Sequence, residues 1–526
     1  MSMKTLQTIR AGCLVSAIAL VACLPAGGVS ADPDVRDFGA RTQDRLNNNS
    51  QFWFGFGEPL TAEEGERNAA TDAINVPRQD ATAPQRQLLA DGLQATFVAR
   101  NVAWLGDMIT FWPNSKNYSH LIVCIEQGRE AGAGNPAIDG ENPSVQRINV
   151  STGAVETILY GMSRCDGIRT TPWGTILATE ENGTDGRAYE IFTPLEITGH
   201  WVADRVTGDV RRSIGGTAPS AHVFQRPALG SFSWEGLAVL PSGVVVAGDE
   251  LSPSNGDEGG AIFKFVPTTL RNPDAGRLPV TDAALSPLAA GTLYALQIAR
   301  GSNFGQGFQR GEGKWIGPVD TNDPTLGRSS GQWARDNNAT GFYRPEDLHQ
   351  DPTFAGTGAR FFWTNTGNSG GKFWAETLAM VDPSPDLAAS KPEVQTFVEG
   401  YPRLASHDNL DVNPVTGHVY VVEDDTHGDI WACLPDGTDE NLVSDGCANM
   451  LSVIDNEAEP TGFIFDGTGK VAYYILQHGE QPAELTDLQS NPVCGDAGFN
   501  CAGFTDDLVK ITGFKLPKGA ELYGIE

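Results

Sequence analysis

Short apolar runs that end in acidic or amide residues recur along the middle of this chain, at 121–127, 175–181, 244–250, 361–365, 419–425 and 471–478. Each is short, rich in β-branched or aromatic residues, and bounded by turn-forming residues. That pattern predicts buried strands rather than amphipathic helices. With Glu126, Glu180, Asp249, Asn365, Glu423 and Gln477 as markers, the steps are 54, 69, 116, 58 and 54 residues. A step near 54 residues suits one propeller blade, and the long middle step carries an insertion.

Three of these runs lead through a turn into an aromatic strand: Gly186 to Phe192, Gly260 to Phe265 and Gly428 to Trp431. Polar segments stand about one hairpin upstream of five runs: Cys165-Asp166-Gly167, Trp234-Glu235-Gly236, Arg344-Pro345-Glu346-Asp347, Asp408-Asn409-Leu410 and Glu459 to Gly462. Each blade therefore offers polar groups at two points. If the acid-tipped runs are the innermost strands, their end residues converge on one axis. Gathering so many carboxylates without cations costs on the order of several kcal/mol in repulsion and desolvation, so the repeat as a set implies bound metal.

The fold expected is all-β: a six-bladed β-propeller with loop insertions over residues 91–526, preceded by an N-terminal arm at 32–90. Scarce helical patterning, with 61 Gly and 32 Pro, agrees with it. The aromatic cluster Phe52, Trp53, Phe54 and Phe56 is the expected anchor of the arm, which is read as support rather than site.

Residues 1–31 read as a signal peptide, with Lys4 and Arg10 in a basic leader, an apolar stretch from Ala11 to Ala26, and Val29-Ser30-Ala31 as cleavage site. Leu20-Val21-Ala22-Cys23 also resembles a lipobox, so a lipid anchor at Cys23 is the alternative. Either way the protein is expected to be exported, to the periplasm, the cell surface or the medium, with no membrane span. The chain has 66 acidic against 36 basic residues, a net charge of −30, which argues against nucleic acid or an anionic membrane as partner. Small-molecule substrates and a monomer are expected.

Setting Cys13 and Cys23 aside with the signal leaves six of eight cysteines. Cys433/Cys447 and Cys494/Cys501 enclose short loops and suit local disulfides in an exported protein. Cys124 lies in an apolar run, whereas Cys165 stands beside Asp166-Gly167 and suits a ligand; a third disulfide between the two is the alternative. Weaker signals are Gly367-Asn368-Ser369-Gly370-Gly371, read as an exposed turn rather than a nucleophile elbow, and His120 and His478, read as turn or strand-end residues before second-layer ligands. Neither HExxH nor a P-loop is present.

Thr171-Pro172-Trp173-Gly174-Thr175 with Glu180-Glu181, then Arg344-Pro345-Glu346-Asp347-Leu348, Asp408-Asn409-Leu410, and Glu459 with Gly462, resemble in order the motifs of the PhoX-type alkaline phosphatases. The resemblance spans about residues 90–480 and implies a six-bladed propeller that hydrolyses phosphate monoesters at ferric iron (Fe3+) and calcium (Ca2+) ions in its channel. By the same resemblance Cys165 is a thiolate ligand to iron with Glu126 and Glu235 beside it. Glu180 or Glu181, Asp249, Glu346, Asp408 and Glu423 supply calcium and bridging ligands, Glu459 matches the pattern less closely, and Arg344 receives the phosphate. The chain departs from the family in lacking a twin-arginine leader and in carrying Ile168 where a second glycine is common. A calcium-dependent lactonase or esterase, and a non-catalytic binding propeller holding structural calcium, are the rival readings.

Overall fold

The computed structural model describes residues 40–516, apart from 64–65, 72–75, 77–79, 131–140, 253–258, 273–278, 299–309, 322–328, 368–373, 436–445, 456–457 and 478–504. The signal segment, the Cys494/Cys501 pair, His478 and most of the Gly367-to-Gly371 turn lie outside the described residues.

Six strands stand side by side around an axis: Gly106–Trp112, Cys165–Thr170, Trp234–Val239, Pro345–Gln350, His407–Val412 and Glu459–Phe465. Each packs against the next and the last returns to the first, so the ring closes. They are the innermost strands of blades one to six. Each pairs antiparallel with one of the acid-tipped runs: His120–Ile125, Thr175–Glu180, Val245–Asp249, Ala359–Asn365, Val419–Glu423 and Val471–Gln477. The protein is a six-bladed β-propeller, as expected.

One expectation is corrected here. The acid-tipped runs are the second strands of their blades, not the innermost. Lying between neighbouring blades, they bury both faces, and all of Thr175–Glu180 and Val419–Glu423 is buried. That is why they read as continuous apolar runs. The innermost strands face the axis and can carry polar residues, so it is the upstream polar segments that line it.

Every innermost strand shifts register near its start, between Gly106 and Ile109, Cys165 and Ile168, Trp234 and Leu237, Pro345 and Leu348, His407 and Leu410, and Thr461 and Ile464. A bulge re-aims side chains, and here it does so at one level in all six blades.

Blade six takes Gln94–Ala103 as its outer strand, paired with Thr505–Thr512, so the two ends of the propeller are hydrogen-bonded into one sheet. Gln87–Leu89 adds a fifth strand to blade five. Within the long middle step, Gly291–Ile298 and Gly311–Ile316 pair, and Gly311–Ile316 also reaches Glu393–Glu399, joining blades three and four into one sheet. In the arm, Phe54 and Phe56 are buried between blades five and six and Trp53 packs partly against them, whereas Phe52 is exposed.

Candidate functional site

One repeating hairpin end builds the channel mouth. The residue just before the inner strand (Leu105, Arg164, Ser233, Arg344, Ser406) accepts, on its carbonyl, the N–H of the residue just after the second strand. Those donors are Glu126, Glu181, Glu250, Thr366 and Asp424, at 2.7, 2.8, 2.9, 3.2 and 2.9 Å. Four of the acceptor residues have left-handed backbone: Leu105 (φ 63°), Arg164 (φ 55°), Arg344 (φ 54°) and Ser406 (φ 49°). The second residue of each inner strand then gives a ring of five acids: Asp107, Asp166, Glu235, Glu346 and Asp408. In blade six the same register shift falls between Thr461 and Ile464, so the matching position is Gly462, which brings no carboxylate, and the Thr461 hydroxyl donates to Asp107 Oδ1 at 2.7 Å.

The five acids act on one another. Burial comes first and neighbouring carboxylates second in raising Asp166, Glu235 and Asp408 well above the usual range. Glu346 is also raised well above it, by burial and Glu250, against the opposing charge of Arg344. Burial and Glu126 push Asp107 up to about 7, despite hydrogen bonds from Thr461, Asn409 and Gln477. Glu181, at the mouth, is pushed up to about 9 by burial, Glu126 and Glu250. Such a set is not fully ionised near neutrality without added positive charge. Asp107, Glu126 and Asp166 bring one carboxylate oxygen each within 4.8 Å of one another. Oδ1 of Asp166 is buried with no hydrogen-bond donor among the described residues. An all-oxygen donor set with an unsatisfied lone pair suits a hard cation.

Arginines guard the rim. Arg344 Nε lies 2.5 Å from Glu250 Oε1, and its Nη2 is 3.3 Å from Glu346 and 3.8 Å from Asp424. Arg164 Nη2 lies 2.5 Å from Glu126 Oε1 and 2.6 Å from Glu181 Oε2. Deeper along the axis, Asp347 meets Arg169 at 2.6 Å, His349 at 3.1 Å and the Leu410 N–H at 3.2 Å. Burial would raise Asp347, but Arg169 and His349 outweigh it and hold this carboxylate below the usual range.

Of the residues expected to bind metal, Glu126, Glu181, Glu235, Glu346 and Asp408 are brought together, with Arg344 beside them. Glu180, Asp249 and Glu423 are not, because each holds its own hairpin closed. Glu180 accepts from the Ser163 and Arg187 N–H groups at 2.8 and 3.0 Å and from Arg205 at 2.6 Å. Asp249 accepts from Ser233 N–H at 3.0 Å. Glu423 accepts from the Ala405 and Asp429 N–H groups at 2.8 and 3.1 Å and from Asn68 of the arm at 3.1 Å. Glu459 begins the inner strand of blade six, three residues before Gly462, the position that matches the ring acids of the other blades.

Cys165 is corrected as well. Its sulfur is bonded to that of Cys124, joining blades one and two, and both residues are buried in the apolar core between them. A disulfide sulfur is not a thiolate, so the alternative pairing is the one observed. The Cys433–Cys447 disulfide is present as expected. His120 sits at the opposite end of its strand from Glu126, hydrogen-bonded to Ser119 at 2.9 Å.

Asp107, Glu250, Asp424 and Arg164 were not singled out by the sequence motifs, and Asp166 was seen only as part of the Cys165 turn. The usable signal was position: each matches a recognised residue of another blade once the hairpins are aligned.

Residues 148–396 match the family model of the alkaline phosphatase PhoX. The resemblance read from the motifs is thereby borne out. The structure of Pseudomonas fluorescens PhoX, in complex with vanadate, a transition state analogue, is similar at TM-score 0.56 and 16% identity, covering 90% of this chain and 100% of that one. At that identity the likeness to the PhoX structure speaks for the propeller fold. The PQQ-bound aldose sugar dehydrogenase of Streptomyces coelicolor is similar at TM-score 0.35 and 11% identity, over 80% of this chain and 98% of that one. No curated protein matches the sequence.

Proposed function

We propose that this protein is an exported, metal-dependent alkaline phosphatase that hydrolyses small phosphate monoesters at the channel mouth. The observation that carries the reading is the ring of five acids at one level of five blades, with Arg344 at its rim, on a chain whose residues 148–396 match PhoX. Asp107, Glu126, Asp166, Glu235, Glu346 and Asp408 would hold the cations, with Glu181 at the edge. Calcium fits this oxygen set; iron held through a Cys165 thiolate does not, and any ferric ion here would rest on carboxylate oxygen. Bound cations supply Lewis acidity to a phosphoryl group and lower the pKa of a water.

The chain's own groups do the rest. Arg344 presents a planar fork of donors suited to two phosphoryl oxygens. Glu250 and Asp424 hold that fork at the rim. Asp347, Arg169 and His349 fill the axis below the ring with mutually satisfied charge, so substrate is met at one end. A −30 protein repels a phosphate ester at long range, and neutralising the ring restores local attraction. Among the described residues no helix is long and apolar enough to cross a membrane.

The test is turnover of p-nitrophenyl phosphate by purified protein with calcium, after exhaustive chelation, and after calcium is restored, alongside metal analysis. Turnover that is lost and regained supports the phosphatase. Lactone or carboxylic ester turnover without phosphatase activity would transfer the site to an esterase, and calcium with no turnover would leave a binding propeller.

A further inference from the structure

Arg164 and Arg344 occupy the same position in blades two and four. Each directly precedes its inner strand, with φ 55° and 54°. Each offers its carbonyl to the residue that ends the partner strand, Glu181 at 2.8 Å and Thr366 at 3.2 Å. Each guanidinium lies between carboxylates of different blades: Arg164 between Glu126 and Glu181, Arg344 between Glu250 and Asp424. The left-handed backbone recurs at Leu105 and Ser406, so conformation alone does not single out these two blades. What they share is the guanidinium.

Arg164 has the more open side chain, 47% exposed against 33% for Arg344. Its Nε and Nη2 are taken by Glu126 and Glu181, and Nη1 has no partner among the described residues. Nη1 of Arg344 is likewise left over. Glu126, the main partner of Arg164, is also one of the three carboxylates whose oxygens converge with Asp107 and Asp166. A clamp whose only task was to neutralise Glu126 would compete with that trio. A donor kept at the rim of it is placed to meet an anion arriving there.

We propose that Arg164 is a second phosphoryl-binding residue, acting with Arg344 from two blades away to favour dianionic phosphate monoesters over monoanionic diesters. The inference rests on the phosphatase reading and deepens it. Two forks can divide the three non-bridging oxygens of a monoester between them, whereas a diester presents two such oxygens and one charge.

The test uses the calcium-loaded protein and its Arg164→Ala, Arg164→Gln and Arg164→Lys variants. KM and kcat are measured on p-nitrophenyl phosphate and bis(p-nitrophenyl) phosphate, and inorganic phosphate binding is measured by calorimetry. Expected are a KM for the monoester and a Kd for phosphate at least ten-fold higher in the alanine and glutamine variants, diester kinetics changed less, and partial recovery with lysine. A lowered melting temperature with phosphate affinity and monoester preference unchanged would show that Arg164 only braces Glu126 and Glu181, and would overturn the inference while leaving the phosphatase standing. Wild-type protein that neither binds phosphate nor turns over the monoester would remove both. Should Arg164→Ala fail to fold, the glutamine and lysine variants decide the matter by the same phosphate titration.

Discussion

Arg164 and Glu181 hold each other twice: the Glu181 N–H donates to the Arg164 carbonyl at 2.8 Å, while Arg164 Nη2 lies 2.6 Å from Glu181 Oε2. The first bond belongs to the fold and recurs from blade to blade. The second belongs to the site and depends on which residues stand there. The same division runs through the channel mouth and separates substitutions that unfold the blade from those that disable chemistry.

Arg344→Lys keeps the charge and loses the fork. The expected cost is about 1.5 to 3 kcal/mol of transition-state binding, read as a fall in kcat/KM for p-nitrophenyl phosphate with little change in melting temperature. Unaltered kinetics would remove Arg344 from the substrate site.

Glu180→Ala acts on the other side of the division. Removing a fully buried carboxylate leaves Arg205 without its main partner and two backbone N–H groups without an acceptor. The loss of stability is expected near 3 kcal/mol by urea unfolding, with calcium content per molecule unchanged. A calcium deficit in the folded variant would instead make Glu180 a ligand.

Cys124→Ser and Cys165→Ser should destabilise alike, by about 2 to 4 kcal/mol, because either one opens the same cross-link between blades one and two. Non-reduced peptide mapping should recover the linked pair. No thiolate-to-iron charge-transfer band is expected, and such a band, lost in Cys165→Ser alone, would restore the thiolate ligand.

Chelation should lower the melting temperature, and by more as pH rises. In the metal-free fold Asp107 is raised to about 7 and Glu181 to about 9, above their unfolded values near 4. Groups raised in this way contribute stability that is complete below pH 4 and is lost as pH climbs through the folded values. The chelated protein should therefore soften between about pH 5 and 9. Calcium at a hundred times its Kd should return about 2.7 kcal/mol. Melting curves at several pH values with and without calcium check both slopes; a metal-free protein that grows more stable toward pH 9 would contradict the crowded ring.

Blade number and spacing were legible in the sequence because a strand buried on both faces needs a continuous apolar run, and such runs are local. Glu235, Glu346, Asp408 and Arg344 were legible too, since each lies in a short polar segment one hairpin upstream of a run. What the chain alone did not settle was which of two adjacent acids meets the axis. Side chains alternate along a strand, so Glu180 and Glu181 serve opposite purposes, and only the packing of blade on blade decides which faces inward. The pairing of Cys124 with Cys165 is likewise a property of the interface between two blades. Asp107 lay hidden in an apolar stretch, Gly106–Trp112, with no motif around it. It joins the ring because Gln94–Ala103 pairs with Thr505–Thr512 from the far end of the chain, and that closure brings blades one and six together. Local sequence determined the hairpins and their polar ends, whereas the converging geometry that turns five separate carboxylates into one site exists only once the circle is closed.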